Sequence, residues 1–265
     1  MGTVTFLSDY GLDDDFVGVC HGVIARIAPH VRIIDVTHGI ARHDVRTGAL
    51  VLRRALPYMP AGVHLAVVDP GVGGARRAVA LRCAVEENVL VGPDNGLLIA
   101  AAERLGGVTA AADIGRSPLR LRPLSASFHG RDVFAPVAAH LACGTPLAEV
   151  GEPLDPDELV QLELPRARVE QGCIVAHVLH ADRYGNVMLD VEHEDLASSG
   201  LVLGQAVTIN GERAMYATTF ADVPVGGLLL YEDGYRTLSL AINRGSALDT
   251  LGLSFDAAIQ IVAGA

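Results

Sequence analysis

The sequence predicts an α/β N-terminal domain with a central, mostly parallel sheet, followed by a smaller antiparallel β-barrel-like domain. Strand and helix signals alternate in the first part of the chain, whereas short strands dominate the last part. An acidic stretch with three prolines separates the two patterns. We therefore assign residues 1–153 to the α/β domain, 154–171 to a linker and 172–265 to the β domain.

Apolar runs, capping residues and glycine stops place the N-terminal elements. Strands are predicted over residues 3–7, 31–36, 63–68, 78–83 and 89–91. Helices are predicted from Asp14 or Asp15 to about residue 27, from Asp44 to about residue 55, after Gly96 to residue 105, and over residues 132–143. Strands separated by helices indicate a sheet that is covered on both faces.

The C-terminal part shows strand signals with few helical ones. Strands are predicted over residues 173–180, 187–191, 206–209, 214–217, 227–231, 237–242 and 258–262. Asn210-Gly211 between two of them is a strong hairpin signal. Many short strands in succession favour a small antiparallel barrel or sandwich.

The composition excludes several classes of protein. The 265 residues are 50% hydrophobic and carry a net charge of −11, which argues against nucleic-acid binding. No apolar run is long enough to span a membrane, and the N-terminus lacks the basic start of a signal peptide. The four cysteines form no CxxC pair, so we expect reduced thiols in a cytoplasmic protein; they are Cys20, Cys83, Cys143 and Cys173.

The most informative stretch is Val67-Val68-Asp69-Pro70-Gly71-Val72-Gly73-Gly74-Ala75-Arg76. It places a carboxylate at the end of a buried strand, then an uncrowded glycine loop, then a guanidinium. This arrangement suggests a ligand site, although a Pro-Gly turn between two strands explains it as well.

Other polar residues also follow strand ends. Asp9 follows the first strand and Asp94-Asn95 the fifth, so with Asp69 they would form one mouth at the carboxyl edge of the sheet. The alternative is that each caps the following helix, which suits Asp94 better than Asp9. His129 precedes a glycine in the Phe128-His129-Gly130-Arg131-Asp132 loop, where Arg131-Asp132 forms a candidate local ion pair.

Three loops of the β domain carry further polar and aromatic groups. Asp182-Arg183-Tyr184-Gly185-Asn186 offers a carboxylate, an aromatic ring and an amide from one turn, although a simple hairpin loop accounts for it too. Thr219-Phe220-Ala221-Asp222 and Asn243-Arg244-Gly245-Ser246-Ala247 are similar loop clusters.

Together these clusters resemble, in order and along nearly the whole chain, the S-adenosylmethionine (SAM) hydroxide adenosyltransferase family, whose relatives are the fluorinase and chlorinase. The motifs that carry the resemblance are Ser8-Asp9-Tyr10-Gly11, Asp69-Pro70-Gly71-Val72-Gly73, Pro93-Asp94-Asn95-Gly96, Phe128-His129-Gly130-Arg131-Asp132, Gly185-Asn186 and residues 243–247. The resemblance implies cleavage of SAM at ribose C5′ by water, which gives adenosine and L-methionine without metal or redox cofactor. It also implies a homotrimer whose sites lie at subunit interfaces. Which sulfonium epimer is preferred stays open, with the (R) form as one expectation.

The resemblance also assigns roles to individual residues. Asp69, Arg76 and His129 match the set that holds the nucleophilic water, and Asp9 matches the aspartate that holds the ribose hydroxyls. The other matches concern the amino acid group (Asp182, Asn186), aromatic positions near adenine (Tyr184, Phe220) and the segment along the base (Asn243, Ser246, Ala247).

Three alternatives remain open. The first is a SAM-dependent halogenase. Four differences from fluorinase favour water over halide: fluorinase has tyrosine in place of Asp69, a tryptophan in place of His43, and a serine-bearing segment in place of His129-Gly130. It also has an extra loop that is missing here between Ala84 and Pro93. A metal-dependent phosphoesterase could use the carboxylates with His129, although no typical metal-ligand spacing supports it. A catalytically inactive adenosine-binding protein would use the same pocket without turnover.

Overall fold

The computed structural model describes residues 2–85, 88–170 and 172–264. Outside these ranges lie residues 86 and 87, which belong to the short segment between Ala84 and Pro93. Residue 171, the end of the predicted linker, also lies outside them. The chain divides into two compact units, residues 1–162 and 163–265. The domain and linker boundaries expected from composition stay predictions. Leu159, inside the expected linker, is buried in the core of the first unit.

The first unit is an α/β fold, as predicted. Its strands are β1 Thr3–Ser8, β2 Arg32–Thr37, β3 Val63–Val67, β4 Ala78–Cys83, β5 Val89–Pro93, β6 Val108–Asp113 and β7 Glu152–Leu154. Its helices are α1 Phe16–Ile27, α2 Val45–Ala55, α3 Ile99–Arg104, α4 Ala135–Ala142 and α5 Leu147–Val150, with a π-helical turn Gly130–Phe134 leading into α4 and short 3₁₀ turns at Leu56–Tyr58 and Pro156–Glu158.

The seven strands form one sheet in the order β2-β1-β3-β5-β4-β6-β7. The four strands β2, β1, β3 and β5 are parallel neighbours. Strand β4 is antiparallel to both β5 and β6, so β6 runs in the same direction as the first four. The prediction of a mostly parallel sheet is therefore confirmed.

Helices cover both faces of this sheet, as the alternation of signals predicted. Residues of α1 and α4 pack with the inward side chains of one face, and residues of α2 and α3 with those of the other. The predicted cap Asp44 accepts a hydrogen bond from the Thr47 N–H, which satisfies a free donor at the start of α2. Asp15 stands at the start of α1 but makes no side-chain cap.

The second unit is a closed β-barrel. Its strands are β8 Arg168–Glu170, β9 Cys173–Ala181, β10 Val187–Glu192, β11 Ala206–Ile209, β12 Glu212–Tyr216, β13 Leu228–Glu232, β14 Thr237–Ile242 and β15 Ala258–Ala263. Its helices are α6 His193–Ser199 and α7 Ala247–Thr250, with a 3₁₀ turn at Phe220–Asp222. Pairing of β9 with β10 closes a ring of seven strands, to which β8 adds an eighth.

The barrel is antiparallel except at one pair. Strands β12 and β13 run parallel, which the expectation of an antiparallel barrel missed. The hairpin predicted at Asn210-Gly211 is present between β11 and β12, and both turn residues adopt positive φ angles of 49° and 90°. Such angles match the twist of the flanking strands, which is why this dipeptide gives a strong signal.

Candidate active site

An aspartate and an arginine pair at the carboxyl end of β3. Arg76 Nε lies 2.9 Å from Asp69 Oδ1 and 3.1 Å from Oδ2, and Arg76 Nη2 also donates to Oδ2. Only 6% of the Asp69 side chain and 11% of the Arg76 side chain are exposed. Such a bidentate pair fixes the orientation of the Asp69 carboxylate and leaves other lone pairs of the carboxylate oxygens available to a ligand.

His129 extends this pair into a network of three residues. Its Nδ1 lies 2.9 Å from Arg76 Nη2. Because a guanidinium only donates hydrogen bonds, Nδ1 accepts, and the neutral imidazole carries its proton on Nε2. Burial and the adjacent Arg76 charge lower the pKa of His129, which favours this neutral form. The structure thus joins the three residues that the resemblance assigned to water binding.

Two glycines allow the backbone to approach closely around the network. Gly73 has φ +75°, and a Cβ there would lie 2.4 Å from the carbonyl oxygen of Ala126. A Cβ on Gly130 would lie 2.1 Å from Tyr10 Oη. The glycine-rich sequence therefore lets the loops after β3 and before α4 meet at the site.

Asp9 lies at the same edge of the sheet, because β1 pairs with β3 through Ser8 and Val67. Its Oδ2 accepts a hydrogen bond of 2.9 Å from the His43 main-chain N–H, which orients the carboxylate. Burial, together with the charges of Cys20, Asp9 and Asp69, raises the pKa of the adjacent Tyr10 well above its usual value. Tyr10 therefore stays a neutral phenol beside two carboxylates.

Asp94 does not cap a helix, and both oxygens of its carboxylate have structural partners. Its Oδ2 lies 2.8 Å from Arg77 Nε, and its Oδ1 accepts a hydrogen bond of 2.9 Å from the Val160 N–H. Arg77 also pairs with Glu158. Asp94 thus anchors the segment that follows β7, a structural role that long-range packing creates and local sequence does not reveal.

The remaining candidates of this unit also have structural partners. Arg131 and Asp132 form the predicted local pair, with Nε 2.6 Å from Oδ1. Although burial alone would raise the pKa of Asp132, hydrogen bonds from Arg131 and the Ser125 N–H hold it below its usual value. Asn95 donates to the Val68 carbonyl. Of the residues that the metal-dependent alternative would use, Asp94 and Asn95 are thus engaged in structural contacts.

A cavity of about 430 Å³ lies next to the network within the first unit. Its charged or titratable lining residues are Arg76, Arg77, Asp113, Arg116, His129 and Glu152. Water or a small polar ligand could therefore reach Arg76 and His129 from this side.

In the second unit, the predicted residues of the β9–β10 loop are held together by one carboxylate. Asp182 Oδ1 accepts hydrogen bonds from the main-chain N–H groups of Tyr184 and Asn186, and its Oδ2 accepts one from the Asn186 amide at 2.8 Å. The Tyr184 side chain is exposed. The loop is thus a rigid turn that presents an aromatic ring.

The other predicted residues of this unit lie in neighbouring loops at the same end of the barrel. A Cβ on Gly185 would lie 2.1 Å from Ser246 Oγ, so the two loops touch. Asn243 donates through its amide to the Val223 carbonyl, and the Phe220 ring lies 5.3 Å from that of Tyr231. Ala247 is fully buried in the barrel core. The structure brings all these loops together.

The sequence singled out Tyr10 and Gly130 only as members of motifs, without a role. The structure shows that the Tyr10 hydroxyl occupies the space a side chain at position 130 would fill. Phe134 was also missed, and its ring lies 5.2 Å from Arg76 Cζ. An aromatic residue five positions after a histidine is a weak signal that only the fold makes meaningful.

Two family models match the chain, one for each unit. The N-terminal domain of SAM hydroxide adenosyltransferase matches residues 4–151, and the C-terminal domain matches residues 176–260. The chain belongs to the SAM hydroxide adenosyltransferase family. The resemblance seen in the sequence motifs is thereby confirmed.

Several similar proteins match most of the chain. Proteins named (R)-S-adenosyl-L-methionine hydrolase from Salinispora tropica and Thermus thermophilus are 47% and 40% identical, covering 98% and 96% of both chains. A fluorinase from Actinoplanes is 29% identical over 91% of this chain and 90% of its own. The crystal structure of an uncharacterized conserved protein from Thermotoga maritima is 35% identical, with a TM-score of 0.90 over 98% of this chain and 99% of that one.

No helix within the described ranges is long and apolar enough to cross a membrane.

Proposed function

We propose that this protein hydrolyses SAM at ribose C5′ and releases adenosine and L-methionine. The observation that carries the proposal is the Asp69–Arg76–His129 network, in a family member 47% identical to a protein named as a SAM hydrolase. The names of the relatives specify the (R)-sulfonium epimer, so we propose that this epimer is the preferred substrate.

The network has the groups that water activation requires. Water attacks C5′ as the C5′–S bond breaks, and the bonding electron pair goes to sulfur, which leaves as a neutral thioether. The reaction needs no general acid but must remove a proton from the attacking water. His129 offers an Nε2–H donor and not a base, so we assign proton acceptance to Asp69 and orientation of the water to His129. Arg76 stabilises the developing hydroxide.

Positioning supplies the rest of the rate, because water, C5′ and sulfur must lie in line. We propose that Asp9 binds the ribose hydroxyls and that Asp182 and Asn186 bind the amino acid group. Tyr184 and Phe220 would contact adenine. The segment along the base would then include Asn243, Ser246 and Ala247.

We further propose that the enzyme works as a homotrimer in the cytoplasm, with sites at subunit interfaces and no cofactor beyond the substrate SAM. All four cysteines lie in the described ranges and are free thiols, which supports a reducing compartment. The trimer rests on the family resemblance.

Halide transfer fits this site less well than hydrolysis. A halide at the water position would lie close to the Asp69 carboxylate, and like charges repel strongly in a buried setting. The lower identity to fluorinases, 29% against 47%, points in the same direction.

Product analysis tests the proposal directly. The purified protein is incubated with a mixture of both SAM epimers in ¹⁸O-labelled water, with chelator, and with or without chloride. We expect equal amounts of methionine and adenosine, ¹⁸O in the 5′-hydroxyl, and faster loss of the (R) epimer. The Asp69→Asn variant should bind adenosine but turn over about 10²–10⁴-fold more slowly.

Three results would contradict the proposal. A 5′-chloro nucleoside would identify a halogenase. Adenosine binding without any methionine release would identify a binding protein. Inactivation by chelator that added metal reverses, with no change in unfolding temperature, would place a metal in the reaction and rule out metal-free hydrolysis.

A further inference from the structure

Two histidines and an aspartate converge at the edge of the first sheet, among residues that the hydrolysis does not use. His21 lies on α1, Asp35 on the edge strand β2, and His38 directly after that strand. One potential ligand atom from each lies within 4.8 Å of the other two. Asp35 Oδ1 is 2.9 Å from His21 Nε2 and 3.1 Å from His38 Nε2.

His38 is the most informative of the three. Its side chain is only 2% exposed, and its Nε2 makes no hydrogen bond within the part of the chain that the structure describes, although it faces the Asp35 oxygen. Its other nitrogen, Nδ1, lies 2.7 Å from Ser8 Oγ. A buried polar atom without a hydrogen bond is costly, and the Asp35 oxygen 3.1 Å away makes an ion-pair contact without hydrogen-bond geometry. A cation held between the two atoms would satisfy both of them.

We propose that His21, Asp35 and His38 bind one divalent transition-metal ion, for which Zn²⁺ is the natural probe. Two imidazoles and a carboxylate are typical ligands of such ions. Ligands about 2.0–2.2 Å from a tetrahedral zinc lie about 3.3–3.6 Å apart, so the 2.9 and 3.1 Å separations from the Asp35 oxygen would widen by a few tenths of an ångström.

The surroundings provide the outer contacts that metal ligands usually have. The Ser8 hydroxyl oxygen can accept a hydrogen bond from the His38 Nδ1–H, which leaves the Nε2 lone pair for the metal. The buried Phe6 ring lies 4.7 Å from the His38 ring and 6.1 Å from the His21 ring, and it forms an apolar wall. Asp35 is 41% exposed, which leaves a route for the ion and for a water ligand.

The ion would act on structure rather than on chemistry. The main-chain carbonyl of His38 accepts a hydrogen bond of 2.8 Å from the Gly11 N–H, and Ser8 precedes Asp9 in the chain. A metal at His38 would therefore tie α1 and β2 to the loop that carries Asp9. This inference goes beyond the proposed hydrolysis and does not depend on it.

Calorimetric titration of the full-length, chelator-treated protein with Zn²⁺ tests the site. We expect one ion per chain, a higher unfolding temperature on saturation, and a Co²⁺ visible spectrum typical of a site with nitrogen ligands. His21→Ala and Asp35→Asn should each lower Zn²⁺ affinity by at least about 100-fold, and Ser8→Ala by about 10–100-fold. Both ligand positions are partly exposed, so these variants should fold, which circular dichroism checks.

The matched control is His30→Ala, which removes an exposed histidine outside the cluster. It should bind Zn²⁺ as the wild type does. Absence of saturable binding at one ion per chain would overturn the proposal, as would affinities in His21→Ala and Asp35→Asn that equal the wild-type value. Equal weakening by His30→Ala would show adventitious surface binding and would overturn it as well.

Discussion

At the scale of single residues, two adjacent arginines have different partners. Arg76 pairs with Asp69 and His129, whereas Arg77 pairs with Asp94 and Glu158. The first arginine can stabilise charge on an attacking water, and the second anchors a segment of chain. The two residues are of the same type and adjacent in the sequence, so only their partners distinguish the two roles.

Arg76→Lys should therefore lower kcat by about 10²–10³-fold, because a lysine ammonium cannot make a bidentate contact with the Asp69 carboxylate and also donate to His129. Adenosine affinity should change little. Arg77→Lys is the matched control, and it should retain turnover while the protein unfolds at lower denaturant concentration. Steady-state kinetics and urea unfolding of both variants check this. Equal loss of kcat in both would contradict the assigned roles.

The neutral state of His129 predicts an acid limit to activity. Its pKa is lowered in the folded protein from an ordinary value of 6.5, so the unfolded chain takes up this proton first as the pH falls. Activity and the stability contributed by His129 should be complete above about pH 6.5 and should be lost as the pH falls through the lower, folded-state pKa. Protonation would turn Nδ1 into a donor that faces the Arg76 donor.

His129→Asn is the test variant, because its amide oxygen can accept from Arg76 near the position of Nδ1 without titrating. The variant should be slower but should lack the acid decline in a kcat/KM profile from pH 5 to 8. Persistence of the same decline in the variant would assign it to another group.

At the scale of elements, the π-helical turn Gly130–Phe134 that leads into α4 begins at the residue directly after His129. This turn brings Gly130 against Tyr10, where a Cβ would lie 2.1 Å from the hydroxyl oxygen and 3.1 Å from Cζ. The close approach fixes the direction of the helix start, and with it the position of His129.

Gly130→Ala should destabilise the protein by about 1–3 kcal/mol, the usual cost of overpacking a buried contact. Tyr10→Phe in the same chain should recover part of this loss, because it removes the atom that clashes most. Urea unfolding of the two single variants and the double variant gives the coupling energy. Strictly additive effects would show that the contact does not position the helix.

Elements also show what sequence can and cannot predict. Strand β4 was predicted with its observed bounds. Its residues are apolar except for the charged Arg82 near the end. Strand β6 was missed, since Val108–Asp113 is rich in alanine and becomes a strand only through pairing with β4 and β7. Asp69 and Arg76 were identified from the sequence, in which they stand seven residues apart around a glycine-rich loop. The Asp94–Arg77 pair could be identified only from the folded structure.

At the scale of the whole molecule, the candidate residues fall into two sets in two compact units. Asp9, Asp69, Arg76 and His129 belong to residues 1–162, and the remaining candidates to residues 163–265. Each set is incomplete for SAM, because the first has no group assigned to the amino acid part and the second has no water-activating group. The proposed trimer would complete each site with the second set of a neighbouring subunit.

Complementation between inactive variants tests this arrangement. Asp69→Asn damages the first set and Asp182→Asn the second, so each protein alone should be nearly inactive. In a co-expressed 1:1 mixture, a site has both intact sets when its first unit comes from the Asp182→Asn chain and its second from the Asp69→Asn chain. Random assembly into a cyclic trimer gives such sites about one time in four.

We therefore expect the mixture to recover about a quarter of wild-type turnover. The control mixture combines Asp69→Asn with Arg76→Lys, and it should recover no activity beyond the average of its two components, because both changes lie in the first set. Sedimentation analysis should show the same assembly state for every mixture. A mixture of Asp69→Asn and Asp182→Asn that stays inactive, although mixed trimers form, would place both sets of each site within one chain.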